Sequence, residues 1–104
     1  MFIYNVTTHV EPSIEARWLQ WMKQEHLPQM LDTQCFERAH LFRVITQDDQ
    51  GGVSYAAQYV CHSREDYEHY VAENAQQLRQ AAQDQFGEKI LSFRTELEEI
   101  ILLQ

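Results

Sequence analysis

An α+β domain with the element order βαββαβ is the fold this chain predicts, and three observations predict it. Segments of strand character alternate with segments of helical period. Each helical segment carries its own start and stop residues. A Gly51–Gly52 pair separates the second and third extended runs, the punctuation of a hairpin. Two hairpin-related strand pairs joined by helices make the ferredoxin-like split motif, a four-stranded antiparallel sheet in the order 4-1-3-2 with two helices on one face.

The elements follow in order. Phe2–Val10 reads as a strand, with Tyr4 and Val6 alternating against Asn5, Thr7 and His9. Ser13–His26 reads as a helix, with Pro12 before it and Ser13 as its N-cap. Pro28 is expected to end or break that helix after Leu27, with Met30–Leu31 as a short further piece. Phe36–Thr46 and Val53–Cys61 read as strands, and Gln47–Asp48–Asp49–Gln50 lead into the glycine pair of the hairpin. Ser63–Phe86 reads as the second helix. Ser63 and Asp66 resemble a capping box, and Gly87 suits the position just past the helix end. Its core stripe runs through Tyr67, Tyr70, Val71, Asn74, Ala75, Leu78, Ala82 and Phe86. Ile90–Leu102 reads as the last strand. Leu91, Phe93 and Leu97 alternate there with Ser92, Arg94, Glu96 and Glu98, so the apolar set is expected under the helices and the charges on the opposite side. That opposite side of the sheet also holds Ile3, Val60 and Leu41 or Phe42 beside polar groups. Such a face is too apolar to stay wet, and packing against a second copy of itself would bury it, which predicts a homodimer through the open sheet face.

A chain of 104 residues supports one domain with one core, here residues 1–104. Its 44% hydrophobic and 23% charged residues are ordinary globular values. No run approaches the roughly 18–20 apolar residues that span a bilayer. The start MFIYNVTTHV has no basic region and no small-residue cleavage site, so a cytoplasmic location is expected. The formal charge is −8, with eight basic residues scattered among sixteen acidic ones. That argues against nucleic acid and against anionic membrane surfaces as partners. Cys35 and Cys61 form no CxxC pair and read as reduced, partly buried thiols. His9, His26, His40, His62 and His69 form no HxxxH or HExxH pair, so no metal is expected. Gly51–Gly52 is neither a P-loop nor GxGxxG, so no nucleotide is expected, and the sequence implies no cofactor.

The candidate site centres on the first helix. Ile14, Trp18, Met22 and His26 recur at intervals of four and share one face, with Trp21 beside them. Trp and Met filling the gap between helix and sheet, with His26 capping the helix end, is the plain structural account. The functional account is an aromatic-walled pocket with His26 at its mouth, as ligand contact or catalytic group, and with Tyr4 or Tyr59 supplying a hydroxyl. Standing in the last helical turn, His26 is expected to favour its protonated form. Arg94 is a candidate anion ligand. Glu96, two residues on and on the same face, offers it an ion-pair partner, and Asn5 and Gln58 are placed to join them from the central strands.

The stretches MFIYNVTTHVEPSIEARWLQWMKQEHLPQML, SREDYEHYVAE and FGEKILSFRTELE resemble a family of small bacterial proteins, domain of unknown function 4286. The likeness covers nearly the whole chain. Its most specific pieces are IYNVT at 3–7, the W-x-x-W-M-x-x-x-H-x-P run from Trp18 to Pro28, and FRTEL at 93–97. The resemblance implies a ferredoxin-like fold of the dimeric α/β-barrel type and no established activity. More distantly, a helix ending in His and Pro is similar to small monooxygenases of that superfamily, at the level of fold alone. Three functions are therefore expected in order: a dimeric small-ligand binding or regulatory module (ligand contacts Tyr4, Trp18, Met22, His26, Tyr59 and Arg94), a cofactor-independent monooxygenase- or isomerase-like enzyme using the Trp18/Met22/His26 pocket, and a structural or protein-interaction dimer.

Overall fold

β1 (Phe2–Val10) and β3 (Val53–Cys61) each run nine residues and pair in antiparallel register, with Tyr4 opposite Tyr59 and Val6 opposite Ala57. β2 (Arg38–Arg43) flanks β3 and β4 (Ile90–Glu98) flanks β1, giving the order β2-β3-β1-β4, which is the expected 4-1-3-2 sheet read from its other edge. This computed structural model describes residues 1–46 and 51–104. Residues 47–50 of the expected hairpin lie outside the described residues. Gly51 and Gly52 take φ of +73° and +79°, and a Cβ on Gly52 would stand 2.7 Å from His9 Nε2 and 2.8 Å from the Val10 carbonyl oxygen. Only glycine fits where the chain turns back against the end of β1.

The first helical segment departs from its expected bounds. A 3₁₀ turn at Pro12–Ile14 precedes α1 (Glu15–Trp21), so Ser13 lies inside the turn and no side chain caps the helix. Pro28 does not stop the segment. A π-helical turn, Met22–His26, intervenes and α2 (Leu27–Asp32) follows directly, with Pro28 in its first turn. A proline lacks one N–H and crowds the preceding turn; the widened turn lets the helix run on past it.

The second helical segment is two helices, α3 (Arg64–Glu73) and α4 (Ala75–Phe86), parted at Asn74 with φ −128°. Asn side chains compete with the helix backbone for hydrogen bonds, which makes this position the weak link. The Ser63 hydroxyl accepts from the Asp66 N–H as expected, and Gly87 closes α4 at φ +55°. Val71, expected on the core stripe, is instead 45% exposed.

The helices cover one face of the sheet, and Cα extents of 37 × 33 × 19 Å describe a two-layer slab. The core between the layers is aromatic. Tyr4 sits at its hub, with ring centroids 5.0 Å from Tyr67, 5.6 Å from Tyr70, 5.8 Å from Tyr59 and 6.3 Å from Phe36.

β4 corrects the sequence reading most. Its register places Ser92 opposite Thr8, Arg94 opposite Val6 and Glu96 opposite Tyr4, all helix-facing positions of β1. The polar set therefore faces the helices. Leu91 and Phe93 stand on the open face, 59% and 60% exposed. The physical reason is that β4 is an edge strand: the helices leave its near side open enough for charges to reach solvent. Leu41 pairs with Ala57 on the core side and Phe42 with Ala56 on the open side. β4 ends at Glu98, not Leu102, because its ladder runs out opposite Met1, whose carbonyl accepts the Glu99 N–H.

Candidate functional site

Alternation along β1 and β3 points Tyr4, Val6, Thr8, Ala57 and Tyr59 at the helices. The four-residue spacing in the first helical segment brings Trp18, Met22 and His26 down onto them. Between the layers these side chains leave a cavity of about 50 Å³. Its wall includes all six residues singled out in the sequence: Tyr4, Trp18, Met22, His26, Tyr59 and Arg94. A pocket for a drug-sized ligand is roughly 300–1,000 Å³. The space here suits a few waters or a body of a few heavy atoms. Five of its wall residues, Arg79, Ala82, Ile90, Ser92 and Arg94, also line a surface groove of about 220 Å³ between α4 and β4, so they form the neck between the cavity and solvent.

His26 does not stand at a helix end, since the chain stays helical through α2 to Asp32. The negative end of a helix dipole is therefore absent from it. Its ring stacks on Trp21 at 4.7 Å and 19°, and burial lowers its pKa to about 4, so the imidazole is neutral at physiological pH. This reverses the expected protonated state. Nδ1 of His26 is buried without a hydrogen-bond partner among the described residues.

At the neck, Arg94 Nε from β4 and Arg79 Nη2 from α4 both donate to the Tyr4 hydroxyl, each at 3.1 Å. Arg94 forms no ion pair with Glu96 among the described residues. Glu96 lies beside the Tyr67 hydroxyl instead; burial first, then Tyr4 and Glu96, raise that phenol's pKa to about 12. Asn5 and Gln58 do not join Arg94, because they pair with each other on the opposite face of the sheet. Burial, with lesser contributions from Tyr70 and Tyr4, pushes the Tyr59 phenol well above its ordinary range, which keeps its proton in place. Cys35 and Cys61 are free and buried, and burial pushes the Cys61 thiol up to about 12. No group of three or more His, Cys, Asp or Glu is arranged to hold a metal ion among the described residues.

Arg79 was missed in the sequence. Its signal was present: it stands four residues after Ala75 and three before Ala82, a cation inside an otherwise core-facing stripe.

A two-layer α/β sandwich of this topology, with a small cavity between helices and sheet, defines the class: a ferredoxin-like domain. The chain belongs to the family described as Domain of unknown function (DUF4286), which matches residues 1–100. No curated protein matches it. Among solved structures, it is similar to a dimeric ferredoxin-like protein from an uncultured marine organism (TM-score 0.63, 10% identity, covering 98% of this chain and 97% of that one). It is also similar to At3g17210 from Arabidopsis thaliana (TM-score 0.63, 13% identity, covering 96% of this chain and 99% of that one). At these identities the likeness is one of fold.

Proposed function

We propose that this protein is a small-ligand binding or regulatory module that works as a homodimer, with the cavity under the first helical segment as its binding site. The observation that carries this reading is the cavity itself. Left unfilled, a cavity of about 50 Å³ would lower stability by roughly 1 kcal/mol, and a buried polar group left unsatisfied by roughly 1–3 kcal/mol more. Both occur together here, in contact with solvent through a defined neck. The homodimer reading rests on the open face, where Phe42–Ala56–Thr7–Phe93 and Val60–Ile3–Leu97 form apolar-rich rows across the strands. A dimeric relative of the same fold supports it. The free, buried thiols fit a reducing compartment such as the cytoplasm.

A cofactor-independent enzyme is the second reading. The neutral His26 favours it, since an Nδ1 without a partner among the described residues is able to accept a proton from a bound substrate.

Ala82→Leu, which fills the neck from α4, tests the binding site. Native mass spectrometry of the protein as purified is expected to show a small organic adduct that the variant lacks, with the fold intact by circular dichroism. If neither protein carries an adduct and the variant is simply more stable, the cavity is a packing void and the binding reading fails.

A further inference from the structure

Neither arginine at the neck is closely paired with a carboxylate among the described residues, Glu96 lying beside the Tyr67 hydroxyl instead. Their donor nitrogens each sit 3.1 Å from one phenolic oxygen, which sets two like charges side by side at the neck, Arg79 half-buried and Arg94 exposed. Arg79 Nε is buried without a hydrogen-bond partner among the described residues. The Tyr4 oxygen accepts from both guanidinium groups, which leaves its own O–H free to donate. Donors from α4, β4 and β1 thus converge on one point, and behind that point the wall turns apolar, with Trp18, Met22 and Met30.

Resting on the binding-site reading above, we infer that the ligand is a short-chain organic carboxylate, whose carboxylate is held at the neck by Arg79, Arg94 and the Tyr4 hydroxyl and whose two- or three-carbon body fills the cavity. An anion there removes the repulsion between the guanidinium groups and satisfies their free donors. A planar carboxylate matches the forked donor geometry of arginine. His26, being neutral, adds no positive charge to that of the two guanidinium groups. The size of the cavity sets the chain length.

The test is titration calorimetry on the full chain at constant ionic strength near pH 7, with propionate, its neutral isostere propionamide, and inorganic phosphate. Propionate is expected to bind saturably, and propionamide and phosphate at least about tenfold more weakly. Arg94→Gln and Arg79→Gln are each expected to weaken propionate by about ten- to a hundredfold, the loss typical of a charge-assisted hydrogen bond. Neither should change the thermal melt of the free protein by more than a few degrees. Equal affinity for propionamide and propionate overturns the carboxylate assignment while leaving a ligand site in place. A preference for phosphate overturns it as well. Absence of propionate binding also overturns it, and the adduct comparison with Ala82→Leu then decides separately whether the cavity binds anything.

Discussion

At the scale of single residues, His26 shows how environment outweighs position. Its place in the sequence suggested a helix end and a proton; its place in the structure is a mostly buried ring stacked on Trp21, neutral above a pKa of about 4. The unfolded chain holds that proton up to about pH 6.5. A base whose folded pKa is depressed contributes stability that is present above pH 6.5 and is lost as pH falls from 6.5 towards 4. The loss amounts to at most about 3 kcal/mol. Urea unfolding at pH 7 and pH 4.5 should show this dependence in the native chain and a shallower one in His26→Phe, which keeps the stacking and cannot titrate. The difference between the two curves isolates His26 from the carboxylates that titrate over the same range. Identical slopes would mean that the imidazole is hydrated in the folded state.

Between elements, the informative comparison is β1 with β4. The alternation of period two was legible in both. β1 also revealed which face is inward, because its aromatic and aliphatic positions coincide with the buried side. β4 did not, because an edge strand answers to two surroundings at once, the helix layer on one side and the open face on the other. Apolar residues mark a buried face only where one face is buried, and here Leu91, Phe93 and Leu97 mark the surface left uncovered in the single chain. Six residues of the cavity wall were legible because the spacing of four on the first helix and of two on the central strands converge there. Arg79 was not, since its role depends on how α4 is set after the break at Asn74. The same reasoning predicts where protomer stability resides. Leu91→Ser is expected to cost the isolated protomer less than about 1 kcal/mol, and Phe36→Ala, which empties a core position, about 3–5 kcal/mol. Denaturant unfolding of dilute protein measures both. A cost above 2 kcal/mol for Leu91→Ser would place that side chain in the protomer core.

For the whole molecule, a slab with helices on one side leaves an open face bearing Ile3, Phe42, Leu91, Phe93 and Leu97, and the chain continues beyond it into the exposed run Ile100–Leu103. A second copy covering this face would account for both the inverted β4 and the apolar rows. A two-fold arrangement would stack sheet on sheet about 10 Å apart, with the cavities on the outer, helical sides. Ligand binding and assembly would then use opposite faces of the same strands. Sedimentation equilibrium of the native chain and of Phe93→Glu at micromolar concentration tests this most directly. The account predicts twice the 12.4 kDa chain mass for the native protein and a single chain mass, still folded, for the variant. A native protein that sediments at one chain mass, or a variant that stays dimeric, would contradict it.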